Sequence, residues 1–283
     1  MTTVAVTQRW RDGRHGWRPA SEGGFNPDRY TVSEIGEPTA AAFVRRHHYS
    51  TSWPSARLRY GLHDGPRLVG AIVLGVPMSK AVLTNPFPTL EPYVESLELS
   101  RLVLLDEVPA NAESWFCASA FRLAADRGVR GVVAFSDPEP RWRRAPGKAP
   151  EQIKPGHVGI VYQALNFSYL GRATRRSLVV LPDATTVPAR ALAKVTGGER
   201  GRDGVIRGLV ARGAAEPRDG EDPAAWLRTA LRTVGAIRQQ HPGNHRYAIR
   251  TGRTRAERTR VAIGMASHTY PKATLSLFAG EGA

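Results

Sequence analysis

Short apolar runs bounded by Gly and Pro alternate with segments of helical period along the first two thirds of this chain. The clearest run, residues 132–135, lies between Gly131 and the breaker Asp137-Pro138, which is typical of a buried strand. A strong helical pattern begins at Asn111, and glycines precede a shorter one near Val158. In chain order the pattern predicts a strand at 30–35, a helix ending near 48, a hairpin of strands at 57–63 and 68–76, a strand at 93–105, a helix at 111–127, the strand at 132–135, the short helix, and strands at 167–171 and 177–181.

This order of elements resembles the core of the GNAT-type N-acyltransferases over about residues 30–182. The resemblance implies an α/β (α+β) fold in which helices flank a central mixed sheet, but it implies no activity by itself. The glycine-rich loop with which that family holds pyrophosphate is missing. Asp106 and Glu107 stand in its place, at 105–111, and their charge would repel a pyrophosphate, which argues against ordinary acetyl-CoA binding.

Composition divides the chain into four segments. Residues 1–29 are rich in Arg, Gly, Pro and Trp without periodicity, which predicts a basic arm with little regular structure. The predicted core at 30–182 is followed by an Arg- and Gly-rich insertion with one helix at 183–244. The last segment, 245–283, is basic again.

The charge balance points to an anionic partner. The 283 residues contain 40 Lys and Arg against 25 Asp and Glu, a formal net charge of +15, and 41% hydrophobic residues suffice for a real core. A polyanion is the leading partner, and a generally Arg-rich source is the alternative. The single cysteine, Cys117, excludes an intramolecular disulfide, and its helical surroundings favour a core position. Because no apolar run is long enough to span a bilayer, we expect a cytoplasmic protein with no membrane partner.

Several short motifs, in this order and spacing, are similar to those of the Mom family of phage DNA-modification proteins. They are His48-Tyr49-Ser50, Leu99-Ser100-Arg101-Leu102, Phe135-Ser136-Asp137-Pro138, Gly156-His157-Val158-Gly159 with Tyr162-Gln163-Ala164 and Asn166-Phe167, and His245-Arg246-Tyr247 with Tyr270-Pro271-Lys272. The resemblance implies a GNAT-like fold and modification of the adenine N6 amine in phage DNA, with a carbamoylmethyl-type adduct that shields the DNA from host restriction enzymes. The segment at about 197–239 has no clear counterpart in this resemblance.

The chemistry of such a reaction points to Asp137. An exocyclic adenine amine is a poor nucleophile because its lone pair is delocalised into the ring, so it needs a group that accepts its proton. A carboxylate at the carboxyl end of a strand lies where open α/β sheets bind ligands. Asp137 is therefore the predicted catalytic base, with Tyr49 and His48 as further catalytic residues. The alternatives are that Asp137 only initiates a turn and that His48 only ends a helix.

The group donor is predicted to lie near Arg101 and Ser114, which could hold its phosphate or carboxylate, with Tyr162 in the adjoining motif. The alternatives are an ion pair of Arg101 with Glu98 or Glu113 and ordinary helix-surface polarity for Ser114. The expected cofactor is acyl-CoA or another activated small-group donor. No cluster has convincing metal-ligand spacing, so a metal is not expected.

The expected partner is double-stranded DNA with a flipped adenine, because a base inside the duplex cannot be reached. Tyr49, Trp53 and Trp142 are candidates for stacking on the flipped base. The residues predicted to contact DNA are Arg45, Arg46, Arg141, Arg143, Arg144, Lys154 and His157. For the arginines near 141 the alternative is a merely solvated loop.

Two functions from other classes stay open. One is a GNAT-type acetyltransferase that acts on a protein, an RNA or a small molecule, against which the missing glycine loop counts. The other is a non-catalytic basic DNA-binding protein, in which Asp137 and Tyr49 would be dispensable. A new modified deoxyadenosine in the DNA of cells that express the chain would separate the DNA-modifying enzyme from both.

Overall fold

The computed structural model describes residues 6–11, 14–19, 24–48, 50, 52–109, 111–144, 147–154 and 156–272, and of residues 6–19 and 154 it describes the backbone alone. The chain divides into two compact units. The core unit consists of Met1–Pro138, Lys154–Ala173 and Asn244–Ala283, and the inserted unit consists of Glu139–Ile153 and Thr174–Gly243. None of the described helices is long and apolar enough to cross a membrane.

The core unit is built on a seven-stranded sheet with helices on its faces, as the sequence predicts. Its strands are β3 (Tyr30–Glu34), β4 (Ala56–Asp64), β5 (Arg67–Gly75), β6 (Ser96–Leu104), β7 (Gly131–Ser136), β10 (Ser168–Arg172) and β14 (His245–Arg250). Its helices are α1 (Glu37–His47), α2 (Ala81–Thr84), α3 (Ala112–Asp126), α4 (Ile160–Ala164) and α8 (Arg255–Thr259). The strand order is β10-β14-β7-β6-β5-β4-β3. Only the β6–β7 pair in this sheet is parallel.

Local sequence explains the best-defined elements. The hairpin of β4 and β5 turns at Gly65, whose φ of +57° favours glycine. Helix α3 buries Phe116, Cys117 and Phe121, which are no more than 5% exposed, so the predicted core position of Cys117 is confirmed. Burial also raises the pKa of the Cys117 thiol, which keeps it protonated and unreactive.

The N-terminal segment and the closing strands differ from the prediction. Where the sequence predicts an arm with little regular structure, β1 (Val6–Arg11) and β2 (Arg14–Pro19) form an antiparallel pair. The predicted strand at 177–181 is β11 (Arg176–Val180), and it belongs to a different sheet from β10. The place beside β7 is taken by β14, which pairs with β7 on one side and β10 on the other.

The inserted unit has a core of its own. Its three-stranded sheet has the order β12-β11-β13, with β12 at Thr186–Val187 and β13 at Ile237–His241. Three helices, α5 (Ala189–Thr196), α6 (Arg202–Val210) and α7 (Pro223–Thr233), pack around Trp226 and Leu209. Two short strands, β8 (Arg141–Arg143) and β9 (Glu151–Lys154), form a separate two-stranded sheet. The sequence predicts one helix in this region; α6 is missed because Gly204 and Gly208 weaken its pattern, and α5 is missed although it contains no glycine.

Candidate functional site

The two parallel strands at the centre of the core sheet separate at their carboxyl ends. β6 and β7 pair only from Ser96 with Gly131 to Leu99 with Ala134. Beyond that point β6 continues to Leu104 beside β5, and β7 continues to Ser136 beside β14. Ser100 is the extra residue of a β-bulge against β5 at this position. Diverging parallel strands leave a slot that is open to a ligand.

Asp137 lies at this slot, directly after the last residue of β7. Its side chain is buried, with the residue 7% exposed. Its carbonyl oxygen accepts a hydrogen bond of 2.9 Å from the backbone N–H of His157, which fastens the two motifs together. The predicted position at the carboxyl end of a strand is therefore confirmed, and the role as a base stays a prediction.

Gly159 lets the next segment approach β7 closely. Its φ is +72°, and a Cβ atom there would lie 2.7 Å from Cδ2 of Tyr162 and 3.1 Å from Oγ of Ser136. The hydroxyl of Tyr247 donates to the carbonyl of Val158, which fixes this loop against β14. The rings of Tyr162 and Tyr247 are 5.2 Å apart. Tyr162, predicted as a donor-binding residue, is thus buried against Gly159 and Tyr247.

His245, at the start of β14, is a buried histidine close to these tyrosines. Oη of Tyr169 lies 2.8 Å from Nδ1 of His245, and the two rings pack at 5.5 Å. Burial, with the charge of Arg172, lowers the pKa of His245 to about 4. The ring is therefore neutral at physiological pH, and its Nδ1 shares a hydrogen bond with the hydroxyl of Tyr169. Burial also raises the pKa of Tyr247 to about 12.

On the β6 side of the slot, Arg101 binds the loop that follows α1. Its Nη2 atom lies 2.9 Å from both the carbonyl oxygen and the hydroxyl of Ser52, and 3.4 Å from Oγ of Ser50. The N–H of Ser50 donates to Nδ1 of His48 over 3.0 Å. Arg101 and His48 are therefore joined through two serines, a link that the sequence does not indicate.

Two further charged residues near this edge were not predicted as site residues. Burial raises the pKa of Glu98 on β6, and the charge of Arg101 opposes that shift. The half-buried guanidinium of Arg246 on β14 lies over the ring of Phe135, 6.0 Å from its centre, and contacts Sδ of Met265 at 3.2 Å. Its Nε atom has no hydrogen-bond partner among the described residues. The motif that contains Arg246 is the only sequence signal for it.

The remaining predicted site residues of the core unit make local hydrogen bonds or are exposed to solvent. Oγ of Ser114 donates to the carbonyl of Asn111 in the first turn of α3, 3.1 Å away. Arg45 and Arg46 are exposed in the last turn of α1. His157 is half-buried, and the indole of Trp53 donates to Glu37 over 3.2 Å. Tyr49 lies outside the described residues.

Of the predicted DNA-contacting residues of the connector, between β7 and α4, Arg141 and Arg143 lie on β8, Lys154 lies on β9, and Arg144 directly follows β8. Arg143 forms an exposed ion pair with Glu151 at 3.4 Å, and the N–H of Arg144 donates to the carbonyl of Pro182. Trp142 is 42% exposed. The side chain of Lys154 is not described, and DNA contact by these residues stays a prediction. Arg141 is half-buried on β8.

In the described part of the chain, no group of three or more His, Cys, Asp or Glu residues could hold a metal ion. Donor binding by Arg101, Ser114 and Tyr162 stays a prediction.

Comparison with known proteins gives a family match and similarities to individual proteins, of which two are given below. The model of the Mom protein family matches residues 29–272. The methylcarbamoylase mom of Escherichia phage Mu is 27% identical over 154 residues, which are 52% of this chain and 56% of the phage Mu protein. The chain thus spans about half the length of that relative. A solved tandem GNAT protein from the clavulanic acid biosynthesis pathway, without AcCoA, gives a TM-score of 0.40 and 10% identity, covering 80% of this chain and 99% of the other.

Proposed function

Because the chain belongs to the Mom protein family, we propose that it is a DNA-modifying transferase acting on the N6 amine of adenine in phage DNA. It adds a small carbamoylmethyl- or acyl-type group, and the modified DNA is protected from host restriction. The observation that carries the proposal is the position of Asp137, a buried carboxylate directly after β7 where β6 and β7 stop pairing.

Asp137 acts as the base in this proposal. As the N6 atom attacks the electrophilic carbon of the donor, an N–C bond forms, the bond from that carbon to its leaving group breaks, and one N6 proton passes to the Asp137 carboxylate. General base catalysis of this kind contributes roughly 10²–10⁴-fold. The hydrogen bond from His157 to the Asp137 carbonyl holds the backbone in place while the proton moves.

The β6 side of the slot supplies fixed positive charge. Arg101 is held by Ser50 and Ser52, so its guanidinium needs no reorganisation when an anionic donor binds. His48 accepts a hydrogen bond from the N–H of Ser50 and shuttles protons, and Tyr49 stacks on the flipped base or donates a proton. The donor is acyl-CoA or another activated small-group donor, held by Arg101 with Ser114 and Tyr162.

Double-stranded DNA with one flipped adenine is the substrate. Unpairing and unstacking the base cost about a few kcal/mol, and stacking on an aromatic side chain returns roughly 1–3 kcal/mol. The formal net charge of +15 supplies sequence-independent attraction to the phosphates. Arg45 and Arg46, exposed at the end of α1, are proposed backbone contacts of the core unit.

Mass spectrometry of nucleosides tests the proposal. DNA from cells that express the wild-type chain should contain a new modified deoxyadenosine. In Asp137→Asn its yield should fall by about 100-fold or more, with folding and DNA affinity retained. Asp126→Asn, an exposed carboxylate on α3, is the matched control and should keep the wild-type yield.

If DNA from cells that express the wild-type chain contained no modified adenine, the proposed function would be overturned. A wild-type yield from Asp137→Asn would leave the activity standing but remove Asp137 as its base.

A further inference from the structure

The core unit has a second ligand-sized groove that is separate from the slot at Asp137. It has a volume of about 360 Å³ and lies between the start of β10, the end of β14 and α8. Three guanidinium groups line it, with an amide and two hydroxyls beside them, while Leu165 and Ile249 give it an apolar floor. The polar lining residues are Arg250, Arg255, Arg258, Asn166, Ser168 and Thr259.

Helix α8 separates charges between its two sides. Its carboxylate, Glu257, faces away from the groove, toward Arg253 at 3.3 Å and Arg130 at 3.9 Å. The backbone N–H and the guanidinium of Arg253 and the charge of Arg130 hold the pKa of Glu257 below its usual value. Arg255 and Arg258, which lie on the same helix, face the groove. Among the residues that the structure describes, those lining the groove include no carboxylate.

The arginines of the groove are poorly neutralised by the protein. Arg258 donates to the carbonyl of Gly252 over 3.1 Å. In the described part of the chain, neither Arg250 nor Arg255 forms an ion pair, although several other exposed arginines do. Three like charges around one groove repel each other, and an anion relieves that repulsion. The planar guanidinium group suits the oxygens of a phosphate in particular.

The position of the groove indicates which kind of anion it binds. Arg250 pairs in register with Gly131, the first residue of β7, whereas Asp137 follows the last. Six residues of strand span roughly 20 Å, so the groove and the slot lie at opposite ends of the same strand. A small anion such as free phosphate cannot reach both ends, but a duplex, with one phosphate charge per about 1.7 Å of axis, can.

We propose that this groove binds the sugar–phosphate backbone of the substrate DNA, about six base pairs from the target adenine on one side, given roughly 20 Å of separation and about 3.4 Å per base pair. The choice of DNA as ligand rests on the proposed function. The groove then orients the duplex so that the flipped base meets Asp137, and it adds affinity without reading sequence.

Salt dependence of DNA binding by the full chain tests this proposal. Replacing Arg250, Arg255 and Arg258 together by Ser should make the slope of log affinity against log salt shallower by about 0.9 per lost contact, up to about 2.7. The matched control replaces Arg29, Arg67 and Arg127 by Ser; these exposed arginines are already paired with Asp64, Glu107 and Glu34. The control should leave the slope nearly unchanged.

Duplex length gives a second measurement. Wild-type affinity should fall when the duplex is cut to about three base pairs on the groove side of the adenine, since roughly 3.4 Å per base pair leaves it short of the arginines. The triple variant should bind long and short duplexes equally.

An unchanged slope in the folded triple variant, or an equal loss in the control, would overturn the groove as a DNA site. Stabilisation of the wild type, but not of the triple variant, by inorganic pyrophosphate with an unchanged DNA slope would overturn it as well, by showing a small-anion site. Since binding is measured without modification, these results are independent of the nucleoside test of the proposed function.

Discussion

His245 shows how one buried side chain makes the stability of the core depend on pH. The histidine is 3% exposed, and its pKa is lowered from 6.5 to about 4 by burial and by Arg172. The unfolded chain therefore binds a proton between those values that the folded chain does not. Its contribution to stability is full above about pH 6.5 and is lost as pH falls through about 4.

We expect the free energy of unfolding to fall as the pH drops from about 6.5 toward 4, by up to about 1.4 kcal/mol per pH unit from this residue. Urea unfolding at a series of pH values measures it. In His245→Gln, which keeps a hydrogen-bonding partner for Tyr169 but cannot titrate, the decline should be smaller. An identical pH profile in both proteins would show that His245 does not cause the effect.

At the residue scale, the sequence predicts only the parts of the site that depend on neighbours in the chain. The place of Asp137 follows from the apolar run before it and the proline after it. The link from Arg101 to Ser50 crosses 51 positions in sequence, and the contact of Arg246 with Phe135 depends on the pairing of β14 with β7. Neither leaves a local pattern, so only the folded chain shows them.

At the scale of elements, the turn between β7 and α4 depends on one glycine. Gly159 combines a φ of +72° with three side chains closer than 3.2 Å to a Cβ atom, from Tyr162, Ser136 and Tyr247. An alanine at this position is strained in its backbone, and its Cβ atom must also displace these three side chains.

We expect Gly159→Ala to lower the free energy of unfolding by roughly 2–4 kcal/mol, because overpacking adds to backbone strain. Gly128→Ala is the matched control, since Gly128 has a φ of +90° and nothing within 4 Å of its Cβ position. The control should lose only about 1 kcal/mol, the cost of the backbone conformation alone. Chemical denaturation compares the two, and equal losses would contradict a packing role for Gly159.

The elements that the sequence predicts correctly are those with local pairing or a clear period. β4 and β5 join across Gly65, and α3 has helical period along its whole length. β14, in contrast, pairs with β7 and β10, and both pairings depend on residues far away in sequence. Helices α5 and α6 of the inserted unit are missed, and in α6 Gly204 and Gly208 weaken the helical pattern.

At the scale of the whole molecule, the longer segment of the inserted unit, Thr174–Gly243, leaves and rejoins the core sheet at one point. The N–H of Ala173 donates to the carbonyl of Asn244 over 2.8 Å. The apolar cluster of the inserted unit, which includes Trp226 and Leu209, lies entirely between these two residues. The two apolar clusters of the core unit contain no residue between Ala173 and Asn244.

We expect the chain to fold when Thr174–Gly243 is replaced by an Asn-Gly turn, which suits the antiparallel pair of β10 and β14. Circular dichroism and denaturation should show one cooperative transition. As a control, Phe116→Ala should cost about 3–5 kcal/mol in the shortened and the full chain alike, because Phe116 lies in the core cluster. A shortened chain without a cooperative transition would show that the core needs the insertion.

The order of the strands also determines when the sheet can form during synthesis. β14 occupies the position between β7 and β10, although it is the last of the described strands to be made. A ribosome completes β14 roughly 110 residues after β7, which takes about 6–22 s at typical elongation rates. An open strand edge can pair with other chains during that interval, so chaperones have time to act there. The nascent chain thus carries an unpaired edge of β7, the strand that Asp137 follows, until β14 has been made.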